Sequence, residues 1–214
     1  MIDTYRHKGL RQKLVNELRV KGIQDEPILE AIGKIPRHHF MDSGFIQFSY
    51  KDQAFPIAAG QTISQPYTVA FQTQLLKLES GMKILEVGTG SGFQTAVLIE
   101  LGLKVFTIER QRELYLLAQK KLRELNYEPM CFYGDGYEGL PSYGPFDRIL
   151  ITAGAPVIPE KLLTQLKDGG RLVAPIGNKS NQIMTLVEKY NDGDFNISKH
   201  GDFIFVPMLK GIQR

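Results

Sequence analysis

The sequence has little that would cross-link the chain or anchor it in a membrane. It contains one cysteine, Cys131, so no disulfide can form within the chain. Cys131 lies in an apolar run, which favours a place in the core over a catalytic role. No apolar run approaches the length that spans a bilayer, and residues 1–6 lack the apolar stretch of a secretory signal. We therefore expect a soluble protein of the cytoplasm that does not enter the membrane.

The chain also lacks a strong charge of either sign. The formal net charge is +3 over 214 residues and is spread along the chain, which gives no reason to expect a nucleic-acid partner. The hydrolase motif G-x-S-x-G, the phosphate-binding motif G-x-x-x-x-G-K-[ST] and the zinc motif H-E-x-x-H are absent. The four histidines show no metal-ligand spacing; they are His7, His38, His39 and His200. We expect no metal, and we take a monomer as the working expectation.

A regular alternation of apolar strands and amphipathic helices is present after about residue 67. Strands are predicted at 83–87, 104–109, 130–133, 148–152, 172–176, 183–189 and 203–206. Helices are predicted at 67–79, 93–101, 112–125 and 160–166, the last stopped by glycines at 169–170. This order is typical of an α/β, doubly wound, mostly parallel seven-stranded sheet with helices on both faces. The final pair of strands, joined by a polar turn at 191–194, has no helix between its members. One strand should therefore be antiparallel at or near an edge.

The first 66 residues have a different character. A helix ends near Gly22, and a second short helix is capped by Asp25 and ended by Pro36. Residues 37–64 are irregular and rich in aromatic side chains, so they must pack on something larger. We expect one domain over residues 1–214, in which residues 1–66 form a helical and irregular extension that covers the active site. Residues 67–214 form its Rossmann-like core.

Three strand ends in this core carry residues suited to an adenosine. Residues 88–92 read Gly-Thr-Gly-Ser-Gly between a strand and a helix, where a doubly wound sheet binds nucleotides. Glu109 ends the next strand and can accept hydrogen bonds from both ribose hydroxyls. Asp135 follows the third strand and can accept from an adenine amino group. The alternatives are that the glycines form a packing turn, that Glu109 is a surface charge and that Asp135 lies in a simple turn. All three alternatives would have to hold at consecutive strand ends. The candidate ligand-binding residues are Gly88, Gly90, Gly92, Glu109, Asp135 and Gly136.

The glycine spacing favours S-adenosylmethionine over a dinucleotide. A dinucleotide fingerprint, G-x-G-x-x-G, needs a glycine where this chain has Phe93. Glu86 precedes the loop, and a carboxylate there would repel a pyrophosphate but suit a cationic sulfonium. We therefore add Glu86 to the candidate cofactor-binding residues.

The acceptor loop after the fourth strand, residues 152–156, favours an oxygen acceptor. It reads Thr-Ala-Gly-Ala-Pro and lacks the Asn/Asp-Pro-Pro-aromatic motif of amide and amine methyltransferases. Upstream, residues 60–67 read Gly-Gln-Thr-Ile-Ser-Gln-Pro-Tyr. This segment resembles the active-site signature of the protein-L-isoaspartate O-methyltransferase family, in its bacterial form. Further segments match in order, so the resemblance covers nearly the whole chain: the glycine loop, 134–136, 145–147, 166–172 and 205–207. Two conservative departures are Gly154, where the family usually has Ala, and Met208, where it usually has Leu.

The resemblance implies a fold of the S-adenosylmethionine-dependent methyltransferase type and a protein-repair activity. Such a transferase methylates the free α-carboxylate of isoaspartyl residues in damaged proteins, initiates their repair to aspartate, and releases S-adenosylhomocysteine. It further implies that Thr62 and Ile63 lie near the methyl donor. Ser64 would be the catalytic position, in contact with both cofactor and substrate, and Val206 would pair with the substrate peptide. From the residues alone, Ser64 reads as a helix cap before Pro66, and residues 203–206 read as a buried strand.

Three other functions stay open at this point. A different S-adenosylmethionine-dependent carboxyl or O-methyltransferase would share the fold. A non-catalytic S-adenosylmethionine-binding module would keep the glycine loop. A nicotinamide dehydrogenase is disfavoured by Phe93 and Glu86.

Overall fold

Two helices form the start of the chain, as predicted. The computed structural model describes residues 2–190 and 193–213. Helix α1 (Tyr5–Val20) is capped by Thr4, whose side chain accepts from the His7 amide at 3.3 Å. Helix α2 (Glu26–Lys34) is capped by Asp25, as predicted. The two helices pack against each other through one buried apolar stripe each.

The segment that follows is irregular, as expected, but it contains a small hairpin. Short 3₁₀ turns occupy 37–40, 43–48 and 58–60. Strands β1 (Phe55–Pro56) and β2 (Thr62–Ile63) pair antiparallel. This pairing fixes the first half of the 60–67 signature against residues 55–56, so the signature is held in place by backbone hydrogen bonds.

The core is the expected seven-stranded sheet. Its elements are α3 (Pro66–Leu75), β3 (Lys83–Val87), α4 (Phe93–Glu100), β4 (Lys104–Glu109), α5 (Arg112–Glu124), β5 (Met130–Tyr133), β6 (Phe146–Ile151), α6 (Glu160–Leu163), β7 (Leu166–Gly177), β8 (Gln182–Lys189) and β9 (Phe195–Phe203). The strand order is β5-β4-β3-β6-β7-β8-β9. Strands β3 to β7 are parallel, and β8 is antiparallel to both of its neighbours. The prediction of one antiparallel strand next to an edge is confirmed.

Several predicted boundaries are wrong. Helix α3 ends at Leu75 and not at 79, α6 ends at Leu163 and not at 166, and β7 begins at Leu166 and not at 172. The last strand is β9, Phe195–Phe203, and not 203–206, because the tight turn in which the Tyr190 amide donates to the Asp194 carbonyl (2.8 Å) starts the return strand at once. The turn itself was predicted at 191–194, of which 191 and 192 lie outside the described residues. Glycines 169–170 do not stop a helix. They lie in β7, where the pairing with β6 skips from Leu166 to Arg171, and Gly169 supplies the positive φ of 72° that this bulge needs.

The N-terminal extension shares one hydrophobic cluster with helices α3, α4 and α5 of the core. Leu18 and Ile32 from the first two helices are buried together with Phe93 and Leu122 from α4 and α5. The extension therefore covers one face of the Rossmann-like core rather than standing apart from it. None of the helices in the described part of the chain combines the length and apolarity needed to cross a membrane.

Candidate active site

A deep cavity opens at the carboxyl ends of β3 and β4. Strand β3 pairs with β4 on one side and β6 on the other, so the chain order reverses here and the connecting loops diverge. Of the predicted cofactor-binding residues, Gly88, Gly90, Glu109 and Gly136 line this first cavity. The three strand ends that carry the adenosine signal thus do meet in space.

The glycine loop approaches β6 so closely that only glycine fits at one position. Gly88 has a φ of 101°, and a Cβ there would clash with the Thr152 hydroxyl. That hydroxyl donates to the Gly88 carbonyl at 2.6 Å. Thr152 comes from the acceptor loop, so this contact sets the position of the acceptor loop relative to the glycine loop.

Glu109 is already engaged by the backbone around it. Its two carboxylate oxygens accept from the Gly90 and Gln111 amides, each at 2.9 Å, and the residue is 5% exposed. A carboxylate has about four acceptor positions. Two remain after these bonds, which matches the two ribose hydroxyls of an adenosine.

Asp135 lies beside the first cavity and is held by the C-terminal segment. Its carboxylate accepts from the Tyr137 amide (2.9 Å) and from the Gly211 amide (2.6 Å). Asp135 does not line the cavity, whereas its neighbour Gly136 does. The predicted contact of Asp135 with an adenine amino group needs an oxygen lone pair beyond those used here.

Residues 206–213, which we call the C-terminal strap, cross the ends of several strands. The Gly154 amide donates to the Val206 carbonyl, and the Met208 amide donates to the Gly154 carbonyl, both at 2.8 Å. Further along, the Gln213 amide donates to the Arg110 carbonyl at 2.8 Å. Pro207, Met208 and Leu209 form one wall of the first cavity. None of these three residues was predicted to line the cofactor site.

The structure contradicts the role predicted for Glu86. Its side chain is fully buried behind the glycine loop, with one oxygen accepting from the Thr95 hydroxyl at 2.6 Å and the other without a partner. Burial raises the pKa of Glu86 to about 8. The carboxyl is therefore protonated at neutral pH and cannot attract a sulfonium cation. The sequence pattern predicted correctly that Glu86 lies near the end of a strand. It did not show that the side chain lies on the face of the strand that points away from the cavity.

Two other predicted residues also lie away from the cavity surface. Ile63 is 1% exposed and belongs to the cluster shared by the extension and the core helices. Gly92 begins α4 at a φ of 90°, and a Cβ there would lie 3.2 Å from the Leu122 side chain. Both residues support the site by packing, and neither lines it.

A second, more open cavity adjoins the first at the signature segment. Four residues line both cavities: Thr62, Ser64, Thr152 and Val206. The second cavity continues along β9 and the residues that follow it, past His200 and Asp202 to Ile204, whose side chain is 80% exposed. Val206 is half-buried and lies outside any strand, so the alternative of a buried strand at 203–206 does not hold.

Ser64 does not cap the helix that follows it. Helix α3 has Gln65 at its N-cap position without a side-chain hydrogen bond. The cap comes from Asp52, whose carboxylate accepts from the Tyr67 amide at 2.7 Å and from the Gln65 side chain at 3.0 Å. The residue Ser64 itself lines both cavities.

A buried arginine that the sequence analysis did not single out holds the signature from behind. The Arg37 guanidinium donates to the carbonyls of Ser49 (2.6 Å), Gln53 (3.1 Å) and Ser64 (3.1 Å). Burial lowers its pKa to about 10, so it stays charged at neutral pH. The presence of a charged residue in an aromatic segment could have indicated a structural role for Arg37. Its partners could not be predicted, because the carbonyl groups that it binds lie up to 27 residues away along the chain.

The first cavity fits S-adenosylmethionine by its own residues. Gly88 and Gly90 let a ligand reach the backbone, and Glu109 keeps acceptors free for a ribose. Ile108, Leu114 and Met208 add apolar walls suited to an adenine. S-adenosylmethionine contains no phosphate, so the cavity needs no phosphate-binding group to hold it.

The chain resembles known proteins over nearly its full length. Residues 9–213 match the family model described as Protein-L-isoaspartate(D-aspartate) O-methyltransferase. A protein-L-isoaspartate O-methyltransferase of Christiangramia forsetii is 57% identical over 211 residues, covering 98% of this chain and 99% of the relative. One from Cytophaga hutchinsonii is 55% identical over 209 residues, covering 98% and 95%.

Solved structures of the same kind superimpose on it. A protein-L-isoaspartate O-methyltransferase with 31% identity has a TM-score of 0.83 over 92% of this chain; the match spans 65% of that longer chain. A Plasmodium falciparum structure, determined in complex with S-adenosyl-L-homocysteine, is 24% identical with a TM-score of 0.81, covering 96% of this chain and 99% of its own. At that identity the second likeness shows the fold alone.

Proposed function

The chain belongs to the protein-L-isoaspartate(D-aspartate) O-methyltransferase family, and we propose that methyl transfer takes place at Ser64, where its two cavities meet. The enzyme uses S-adenosylmethionine to methylate the free α-carboxylate of isoaspartyl residues in damaged proteins. The expectations of a different O-methyltransferase, a non-catalytic binding module and a nicotinamide dehydrogenase are set aside by this membership.

One observation carries the site assignment. Ser64 lines both the first cavity, which fits the methyl donor, and the second, more open cavity beside it. The bound donor supplies a methyl group on a positively charged sulfur that is its own leaving group. The protein must then bring an acceptor oxygen to that methyl from the open side, which is the position of Ser64, Thr62 and Val206.

The acceptor chemistry explains the sparse site. A carboxylate is already ionised at neutral pH, so no general base has to take a proton from it. Positioning alone can supply about 7–11 kcal/mol of barrier reduction. We propose that the Ser64 hydroxyl donates a hydrogen bond to one oxygen of the isoaspartyl carboxylate and so points the other at the methyl. We do not propose Ser64 as a nucleophile, because the 60–67 signature contains no histidine that could act as its base.

The second cavity suits an extended peptide. It follows the exposed end of β9 and residues 204–206, a stretch of irregular backbone with an exposed apolar side chain at Ile204. A peptide that adds along such backbone is held by main-chain hydrogen bonds with little side-chain selectivity. This arrangement would let one enzyme accept damaged sites in many sequences, with Val206 at the substrate backbone.

The proposals on nucleic acid and metal follow from the weak net charge of the chain and from the chemistry of methyl transfer. We propose that the enzyme acts as a monomer without a nucleic-acid partner. Methyl transfer from S-adenosylmethionine to a carboxylate needs no metal, so we place none at the reaction centre.

A serine substitution tests the site. Ser64→Ala removes one hydrogen bond to a charged group, and such bonds contribute about 1.5–3 kcal/mol. We therefore expect kcat/KM with an isoaspartyl peptide to fall by roughly 10- to 100-fold, while S-adenosylhomocysteine affinity changes little. The measurement is transfer of labelled methyl to an isoaspartyl peptide and to the matching aspartyl peptide.

The control is Ser142→Ala, an exposed serine remote from both cavities. Unchanged turnover in Ser64→Ala would remove Ser64 from the active site. Equal methylation of the two peptides by the unmodified enzyme would instead contradict the repair activity, so the two failures can be told apart.

A further inference from the structure

A compact group of potential metal ligands lies in the N-terminal extension, outside both cavities. Asp3, His7 and His38 each present a carboxylate oxygen or ring nitrogen, and these three atoms lie within 4.8 Å of one another. Asp3 and His7 come from the start of α1, whereas His38 comes from the turn after α2. The group therefore joins two segments that are 31 residues apart, which is why its members show no ligand spacing in the sequence.

His38 has the environment of a histidine ligand. It is fully buried, its Nδ1 lies 2.6 Å from the Tyr50 hydroxyl oxygen, and its Nε2 is buried without a hydrogen-bond partner. Ligating histidines usually donate their second ring N–H to an oxygen, which fixes the tautomer and the ring orientation. With Nδ1 donating to Tyr50, Nε2 carries a free lone pair. Arg11 donates to the same Tyr50 oxygen at 3.0 Å and holds it in place.

Asp3 supplies an oriented carboxylate. The Arg11 guanidinium binds it in a two-pronged contact, at 2.9 Å to Oδ1 and 2.8 Å to Oδ2. A carboxylate bound in this way keeps its outer lone pairs, and Oδ1 lies 3.9 Å from Nδ1 of His7. The positive charge of Arg11 opposes a cation, and the negative charge of Asp3 offsets it.

We propose that Asp3, His7 and His38 bind one divalent transition-metal ion of the zinc type, in a site separate from the reaction centre. Two imidazoles and one carboxylate form a ligand set that zinc accepts, with water in the fourth position. Bonds of about 2.0–2.2 Å require the ligand atoms to draw closer together than they are here. His7 lies in the first turn of α1 with its side chain 20% exposed. Its Nδ1 accepts from the Thr4 amide at 3.4 Å, so a metal bound at this nitrogen would replace that capping contact.

Such an ion would tie α1 to the segment that holds the active-site signature. His38 follows Arg37 directly, and Arg37 binds the Ser64 carbonyl. The ion would act on the stability of the extension and not on the chemistry of methyl transfer.

The test uses the full chain without a histidine tag, stripped with a chelator. Zn²⁺ is titrated in competition with a chromogenic chelator, and Co²⁺ is used as a spectroscopic probe of the ligand set. We expect one ion per chain, with binding weakened at least 10-fold in Asp3→Asn and His7→Gln. Tyr50→Phe, which removes only the oxygen behind His38, should weaken it roughly 10-fold.

The choice of variants guards against misfolding. Glutamine at position 7 can still make the capping-box contact at the start of α1, so His7→Gln should fold. His200→Gln, in the second cavity, is the matched histidine control and should bind Zn²⁺ as the unmodified protein does. Absence of Zn²⁺ binding to the unmodified chain, or equal binding by His7→Gln, would overturn the site.

Discussion

At the scale of single residues, Arg37 connects the irregular N-terminal segment to the reaction centre. Its guanidinium also lies over the Phe93 ring, 5.5 Å from the ring centroid, and Phe93 lines the first cavity. One side chain therefore touches the backbone of the signature and a wall of the cofactor cavity. Its loss should affect stability and activity together.

Arg37→Met is expected to destabilise the protein by roughly 2 kcal/mol or more, because buried carbonyls lose their donors. Urea unfolding at neutral pH measures this change. Arg19→Met is the control, since Arg19 forms an exposed ion pair with Glu26 and a hydrogen bond to the Asn16 side chain, and surface contacts of this kind contribute little to stability. Similar losses in the two variants would show that Arg37 does not organise the segment.

Glu86 leads to a prediction about pH. Its pKa is raised from 4.5 to about 8 in the folded protein, so the folded state keeps a proton that the unfolded state releases between these values. The stability that this group contributes is complete below about pH 4.5 and is lost as the pH rises through 8. Glu86→Gln does not titrate, so the variant should gain stability relative to the unmodified protein between pH 5 and pH 9. Parallel profiles from urea unfolding across that range would contradict the buried, protonated carboxyl.

The predicted residues that line the first cavity are those whose positions are set locally. Gly88 and Glu109 stand at strand ends, and the position of a strand end follows from the apolar pattern around it. The roles of Arg37 and Asp52 were not predicted, because their hydrogen-bond partners are set only by tertiary packing. Glu86 was misassigned because the pattern gave its strand but not which face would meet the ligand.

At the scale of elements, helix α3 is started by a residue from another segment. Asp52 caps it from 15 residues away and also binds the Lys21 side chain at 2.6 Å. The cap therefore joins α1, the irregular segment and α3 immediately beside Ser64.

Asp52→Ala should cost about 0.5–2 kcal/mol, the usual value of a lost cap, and raise KM for the isoaspartyl peptide. Asp52→Asn keeps an oxygen for the Tyr67 amide and should retain most of the stability. Unfolding curves and peptide kinetics of both variants test this expectation. If alanine and asparagine behave alike, the cap is not what positions the signature.

The last strand was predicted at the wrong residues because the apolar pattern is weak in a strand at the edge of a sheet. Strand β9 has only three apolar residues, at 195, 197 and 203, and most of its residues are exposed, because only one neighbouring strand covers it. The prediction fell on the more apolar segment 203–206, of which only Phe203 belongs to the strand. Interior strands such as β3 and β6, which are buried on both faces, were placed within two residues.

At the scale of the whole molecule, the extension and the core should unfold as one body. Their shared cluster buries Leu18 and Ile32 against Phe93, so neither part keeps its apolar surface covered without the other. We expect a single thermal transition with equal calorimetric and van't Hoff enthalpies. Two resolved transitions would show that residues 1–66 are a separate folding unit.

The C-terminal strap has a consequence for biosynthesis. The ribosome makes the glycine loop well before residues 207–209, which close the cofactor cavity from the opposite side. A nascent chain can therefore form most of the sheet while the cavity still lacks a wall. High affinity for the methyl donor should arise only once the strap has emerged, so a partly translated chain would not hold the donor as the finished protein does.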